Sequence, residues 1–141
     1  MIVQTSCTIF GVNLLKGLEN FTGTSPYVYR IALYNANANL DNSTTAYTSV
    51  NEVTGAGYTA GGKVLTPISL GSDNANNTAF VSFNDVTWNP ANFTTRGALV
   101  YNSTTGAAVC VLNFGSDKTP NSTFTVTFPT ANSTNAIIRI T

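Results

Sequence analysis

Seven short runs of β-branched and aromatic residues, each closed by a cluster of Gly, Asn, Asp, Ser or Pro, constrain this chain more than any other feature. The clearest run, 27–34, places Tyr27, Tyr29, Ile31 and Leu33 at period two, the spacing that puts every second side chain on one face of a strand. Comparable runs lie at 63–70, 78–84 (with Ala79, Val81 and Phe83 aligned), 95–101, 107–114, 122–128 and 136–140. Strands this short, at such regular spacing and with no intervening helical pattern, predict an all-β fold: an antiparallel β-sandwich or a jelly-roll-like pair of sheets. One segment departs from period two. Residues 14, 15, 18 and 21 are apolar, a helical spacing, and Gly17 inside it limits the prediction to one short N-terminal helix over 14–21.

With 141 residues, the chain has room for one domain. No linker or long internal repeat divides it, so the expected organisation is a single domain over 1–141, with 1–26 as an N-terminal segment or arm and 27–141 carrying the strands. The connection 44–62 stands apart. It is long, rich in Gly, and contains Tyr47, Val50, Val53 and Tyr58 without clear periodicity, so it should cross over the sandwich or form a functional loop.

Charge is scarce. Only 9% of residues are Asp, Glu, Lys or Arg, and six positive side chains balance six negative ones. With no basic stripe to hold a phosphate backbone, no nucleic acid is expected as partner, and no membrane-surface helix either. No run reaches the roughly 20 apolar residues of a membrane span. The first residues lack the positively charged start of a secretion signal. Thr, Asn and Ser, at 23, 18 and 11 residues, replace the missing charge. They suit strands and turns, and contacts built from them depend on fit and hydrogen bonds more than on ion pairing. Seven Asn-x-Ser/Thr triplets, starting at Asn20, Asn42, Asn76, Asn92, Asn102, Asn121 and Asn132, follow from that composition, so glycosylation is not inferred.

The residues that carry chemistry are few. Histidine is absent, which removes His-dependent nucleophilic sites. Cys7 and Cys110 either pair or stay as thiols; without a secretion signal, free thiols are expected. A glycosidase needs two facing carboxylates, and six acids are available: Glu19, Asp41, Glu52, Asp73, Asp85 and Asp117. Asp41, Asp73 and Asp117 sit in runs that read as turns, so no catalytic residue is assigned. The oxygen-rich run 72–77 lacks the spacing of a calcium loop, and the glycines at 55, 57, 61 and 62 lack a phosphate-loop setting, so neither a metal nor a cofactor is expected. Arg30 and Arg96 are candidates to pair with Asp85 or Glu52. Trp88, after a strand and before Pro90, either fills one end of the core or anchors an interface. With Tyr47, Tyr58 and Arg96 it completes the set of candidate interface residues.

Several runs resemble a family of small structural proteins of tailed bacteriophages: LLKGLENFT (14–22), YRIALY (29–34), TTAYTSVNEVTGAGYTAGG (44–62), DVTW (85–88), TRGALVYN (95–102) and NAIIRI (135–140). The run 44–62 is the most specific. The resemblance implies a non-enzymatic virion protein in multiple copies. Within that class a capsid decoration or cement protein fits best, a homotrimer on the capsid surface that clamps the major capsid protein through the N-terminal segment or the 44–62 loop. The alternatives are a tail or fibre component that binds a host surface glycan through Trp88 or the loop tyrosines, and a small carbohydrate-active enzyme.

Overall fold

A computed structural model describes residues 1–141. In chain order its elements are β1 (Thr5–Ser6), α1 (Thr8–Leu15), β2 (Tyr29–Tyr34), β3 (Lys63–Leu65), β4 (Pro67–Asp73), β5 (Thr78–Phe83), β6 (Val86–Trp88), β7 (Thr95–Asn102), β8 (Ala108–Lys118), β9 (Phe124–Val126) and β10 (Ile138–Ile140). The fold is all-β with one short helix. Five strands form an antiparallel sheet in the order β1-β8-β7-β2-β3; β10-β5-β4 and β6-β9 form two smaller ones.

Both faces of β2 are covered, which makes it the centre of the molecule. Tyr29, Ile31 and Leu33 enter a core of 21 buried residues shared with β5, β6, β7, β8, β9 and β10, so the large sheet packs against the two small ones. Ala32 and Tyr34 point the other way, into a second core of 10 residues with Ile2, Cys7, Ala38, Leu40, Leu99 and Val111. A sandwich strand with an open outer face would carry polar residues there. Here only Arg30 interrupts the apolar run, because the N-terminus and the segment after β2 roof the outer face.

The helix lies six residues earlier than its spacing predicts. It ends at Leu15, and Gly17 takes φ +73°, a left-handed conformation that stops a helix. Leu18 and Phe21, whose spacing suggested more helix, belong to an irregular strap: Phe21 stacks on Tyr29 with ring centres 4.4 Å apart. Residues 1–15 are not a detached arm, since Thr5 and Ser6 pair with Val111 and Cys110 of β8 and Ile2 is buried. The expected strand 63–70 divides into β3 and β4, which belong to different sheets. Residues 115–118, read as a turn, extend β8, and Thr95 pairs with Lys118 there. The turn at Asp41 is present, with its carboxylate accepting from the Ser43 amide at 2.8 Å.

Candidate functional site

The 44–62 connection folds back onto its own sheet. At its centre Asn51, Glu52 and Val53 run beside the end of β2 that β3 does not reach: Val53 N–H donates to Leu33 O (2.9 Å) and Asn35 N–H to Asn51 O (3.0 Å). Close approach elsewhere in the loop requires glycine. A Cβ at Gly62 would lie 1.7 Å from Ile31 O, and one at Gly57 1.8 Å from Pro90 O.

Glu52, buried at 7% exposure, is the polar centre of this loop. Tyr47 Oη donates to its Oε2 (2.6 Å), and Tyr58 Oη and the Gly61 amide donate to Oε1 (2.6 and 2.7 Å). The Gly61 carbonyl in turn accepts from Arg30 Nε (3.2 Å) and Tyr101 Oη (2.7 Å), and the Gly62 carbonyl from Arg30 Nη2 (2.8 Å). The Tyr47 and Tyr101 rings stack at 4.8 Å. Burial, then the bond to Glu52, pushes the Tyr47 hydroxyl up to about 12, and the same two causes push that of Tyr58 still higher. Each phenol therefore stays a donor at any ordinary pH. With three donors on the Glu52 carboxylate and two more on the Gly61 carbonyl, the network fastens the loop.

The candidate interface residues have different fates. Trp88 is 1% exposed, inside a cluster with Tyr58, Phe93 and Phe124, so it fills the core. Tyr47 and Tyr58 are half-buried, with both hydroxyls committed to Glu52. Arg96 stays accessible. It pairs with Asp117 (2.8 Å), not with Asp85 or Glu52, because β7 and β8 are neighbours. Asp85 instead accepts from the Phe128 amide at 2.9 Å.

A larger apolar groove lies elsewhere. A groove of about 830 Å³ runs between β1 and α1 on one side and β10 on the other, with β8 at its floor. Phe10, Leu14, Val109, Leu112, Ile138 and Ile140 give it apolar walls, and Leu15 stands beside it at 92% exposure. Arg139 is the one charged side chain in its lining. Two short sheet edges flank the groove, since β1 and β10 each have a neighbour on one side only. Cys7 and Cys110 also border it as free, buried thiols. Burial first, with Asp41 nearby, pushes Cys7 up to about 11; burial, with Cys7 nearby, pushes Cys110 up to about 12. Neither is a poised nucleophile. The sequence signal for this groove was the apolar end of the chain, where Ile137, Ile138 and Ile140 sit closer together than one buried face needs. For the loop it was an acid between two tyrosines, five residues after Tyr47 and six before Tyr58.

No group of three or more His, Cys, Asp or Glu side chains converges to hold a metal ion, and no helix is long and apolar enough to cross a membrane. Searches against protein-family models, curated proteins and solved structures return no match to this chain.

Proposed function

We propose that this protein is a non-enzymatic structural component of a bacteriophage virion, a capsid decoration protein that binds the shell of major capsid protein and stabilises it by contact. The observation that carries the reading is the groove beside α1: an apolar cleft between two open sheet edges, rimmed by Leu15 and Ile140 at 92% and 52% exposure. Apolar side chains collected at one place on a charge-poor surface mark a contact site more often than a solvent face. The resemblance of the 44–62 run to phage structural proteins supports the same class. In this reading the Glu52 network keeps the loop rigid, and copies of the chain act as trimers on the shell. The buried position of Trp88 speaks against the alternative, a tail component stacking a host glycan on that ring.

Cryo-electron microscopy of the virion made by a phage carrying this gene tests the proposal. Density for the chain on the head lattice in groups of three, with the groove against a neighbouring subunit, is the expected result. Density confined to the tail overturns it. Heads lacking the protein should also break at lower temperature than complete heads.

A further inference from the structure

A second acid, half-buried but with its carboxyl turned inward, is held quite differently from Glu52. Glu19 lies in the strap that follows α1, and its carboxyl is enclosed by three elements. Tyr29 Oη of β2 donates to Oε2 at 2.7 Å, and Asn102 Nδ2 at the end of β7 donates to the same oxygen at 3.3 Å. The amide of Asn13, in α1, faces it from the third side. The other oxygen, Oε1, is sealed from solvent with no hydrogen-bond partner. None of the surrounding groups carries charge. Asn13 and Asn102 are neutral amides, and Tyr29 is a phenol kept protonated by burial and by Glu19 itself. Neither a Lys or Arg nor another acid acts on this carboxyl.

An ionised carboxylate in such a place loses its hydration and gains no countercharge, and its second oxygen accepts nothing. The neutral acid, with its proton on the unpartnered Oε1, leaves that position unsatisfied too but escapes the much larger cost of an uncompensated charge. Burial accordingly holds the Glu19 pKa above the ordinary range, against the opposing pull of the Tyr29 and Asn102 hydrogen bonds and of the nearby Asn13 amide.

We propose that Glu19 is a proton-dependent latch for the strap: its neutral carboxyl holds residues 18–21 across the sandwich, and its ionisation loosens them. Three further contacts ride on the same latch. The Asn20 amide donates to Tyr29 Oη (3.0 Å), Asn102 Nδ2 reaches Leu18 O (3.5 Å), and Phe21 stacks on Tyr29. The direction follows from linkage. Below the pKa of an unfolded glutamate, about 4.3, the acid is neutral in both states. As pH rises from there through the raised folded value, the unfolded chain ionises first, so the docked strap loses stability; above that value the loss is constant.

The test uses the full chain and Glu19→Gln, which keeps the shape and an acceptor for Tyr29 but cannot ionise. In the wild type, the carbon resonance of the Glu19 carboxyl should titrate above a free glutamate. Amide exchange at residues 18–21, corrected for its intrinsic pH dependence, should quicken through that midpoint, by roughly tenfold for each pH unit of displacement. Glu19→Gln should show no such step. A wild-type midpoint at or below that of a free glutamate overturns the latch, and so does strap exchange with the same corrected pH profile in both proteins. If the variant fails to fold, the wild-type titration and exchange decide alone.

Discussion

Glu52 and the two cysteines show how a side chain's surroundings decide what it does. The Glu52 carboxylate is the acceptor for three donors inside the protein, so Glu52→Ala strands two phenols and one amide at once. Unsatisfied buried donors cost about 1–3 kcal/mol each, partly recovered where Tyr47 turns to solvent. Denaturant unfolding should show a loss of about 3 kcal/mol or more for Glu52→Ala. Tyr58→Phe removes one donor from Glu52 and also the acceptor of the buried Leu33 amide (2.8 Å), and should cost about 2 kcal/mol, still less than Glu52→Ala. Equal losses for the two variants would mean that Glu52 is not the centre of the network. For the thiols, values near 11 and 12 leave almost no thiolate at neutral pH. A thiol reagent at pH 8 should modify neither Cys7 nor Cys110 in the native protein and both in denaturant; fast native labelling would contradict the burial of both. Sequence showed Glu52 as one of six scattered acids and a candidate partner for Arg30 or Arg96, not as the acceptor of two phenols, because what distinguishes it is a loop that returns to its own sheet.

At the scale of elements, legibility tracked how far each one depends on its own pattern. β2 and β7 were readable because six to eight residues in a row are buried or nearly so, and β5 because four of its six are. β1 and β6, two and three residues long, are strands only because β8 and β9 lie alongside, so nothing local announces them. The helix was displaced for the same reason: Phe21 is apolar to pack against the sandwich, Leu18 is apolar yet exposed, and their spacing mimics a turn that Gly17 prevents. Of the groove, sequence held only the closely spaced isoleucines near the C-terminus; its other wall depends on β1 docking beside β8. The 44–62 loop supplies a prediction at this scale. Gly62 has φ +72° and would bring a Cβ to 1.7 Å from backbone, where no side-chain rotation gives relief. Gly62→Ala should therefore cost more than about 2 kcal/mol and should loosen the loop first, seen as faster amide exchange at Asn51 and Val53. A variant of wild-type stability would show that the loop does not need its close approach to β2.

For the whole molecule, the scarcity of charge determines how it holds together and how it meets a partner. A single salt bridge, Arg96 to Asp117, is present, and it is exposed at both ends. Surface pairs of that kind contribute about 0–1 kcal/mol. Stability rests instead on the two apolar cores and on internal hydrogen bonds, those of Glu52 and Arg30 among them, which a salt atmosphere screens little. Raising salt from about 0.1 M to about 1 M shortens the Debye length from about 10 Å to about 3 Å, which weakens an assembly joined by complementary charges. The groove proposed as the contact surface offers one charged side chain among apolar ones, so docking through it should be insensitive to that change. Purified protein added to heads that lack it should bind with nearly the same affinity at both salt concentrations. Leu15→Asp, at a position 92% exposed, should leave the unfolding midpoint unchanged while weakening that binding at least tenfold, a loss of about 1.4 kcal/mol. Binding that falls steeply with salt and ignores Leu15→Asp would place the contact on one of the few charged positions, with Arg96 first among them, and would leave the groove without a role in assembly.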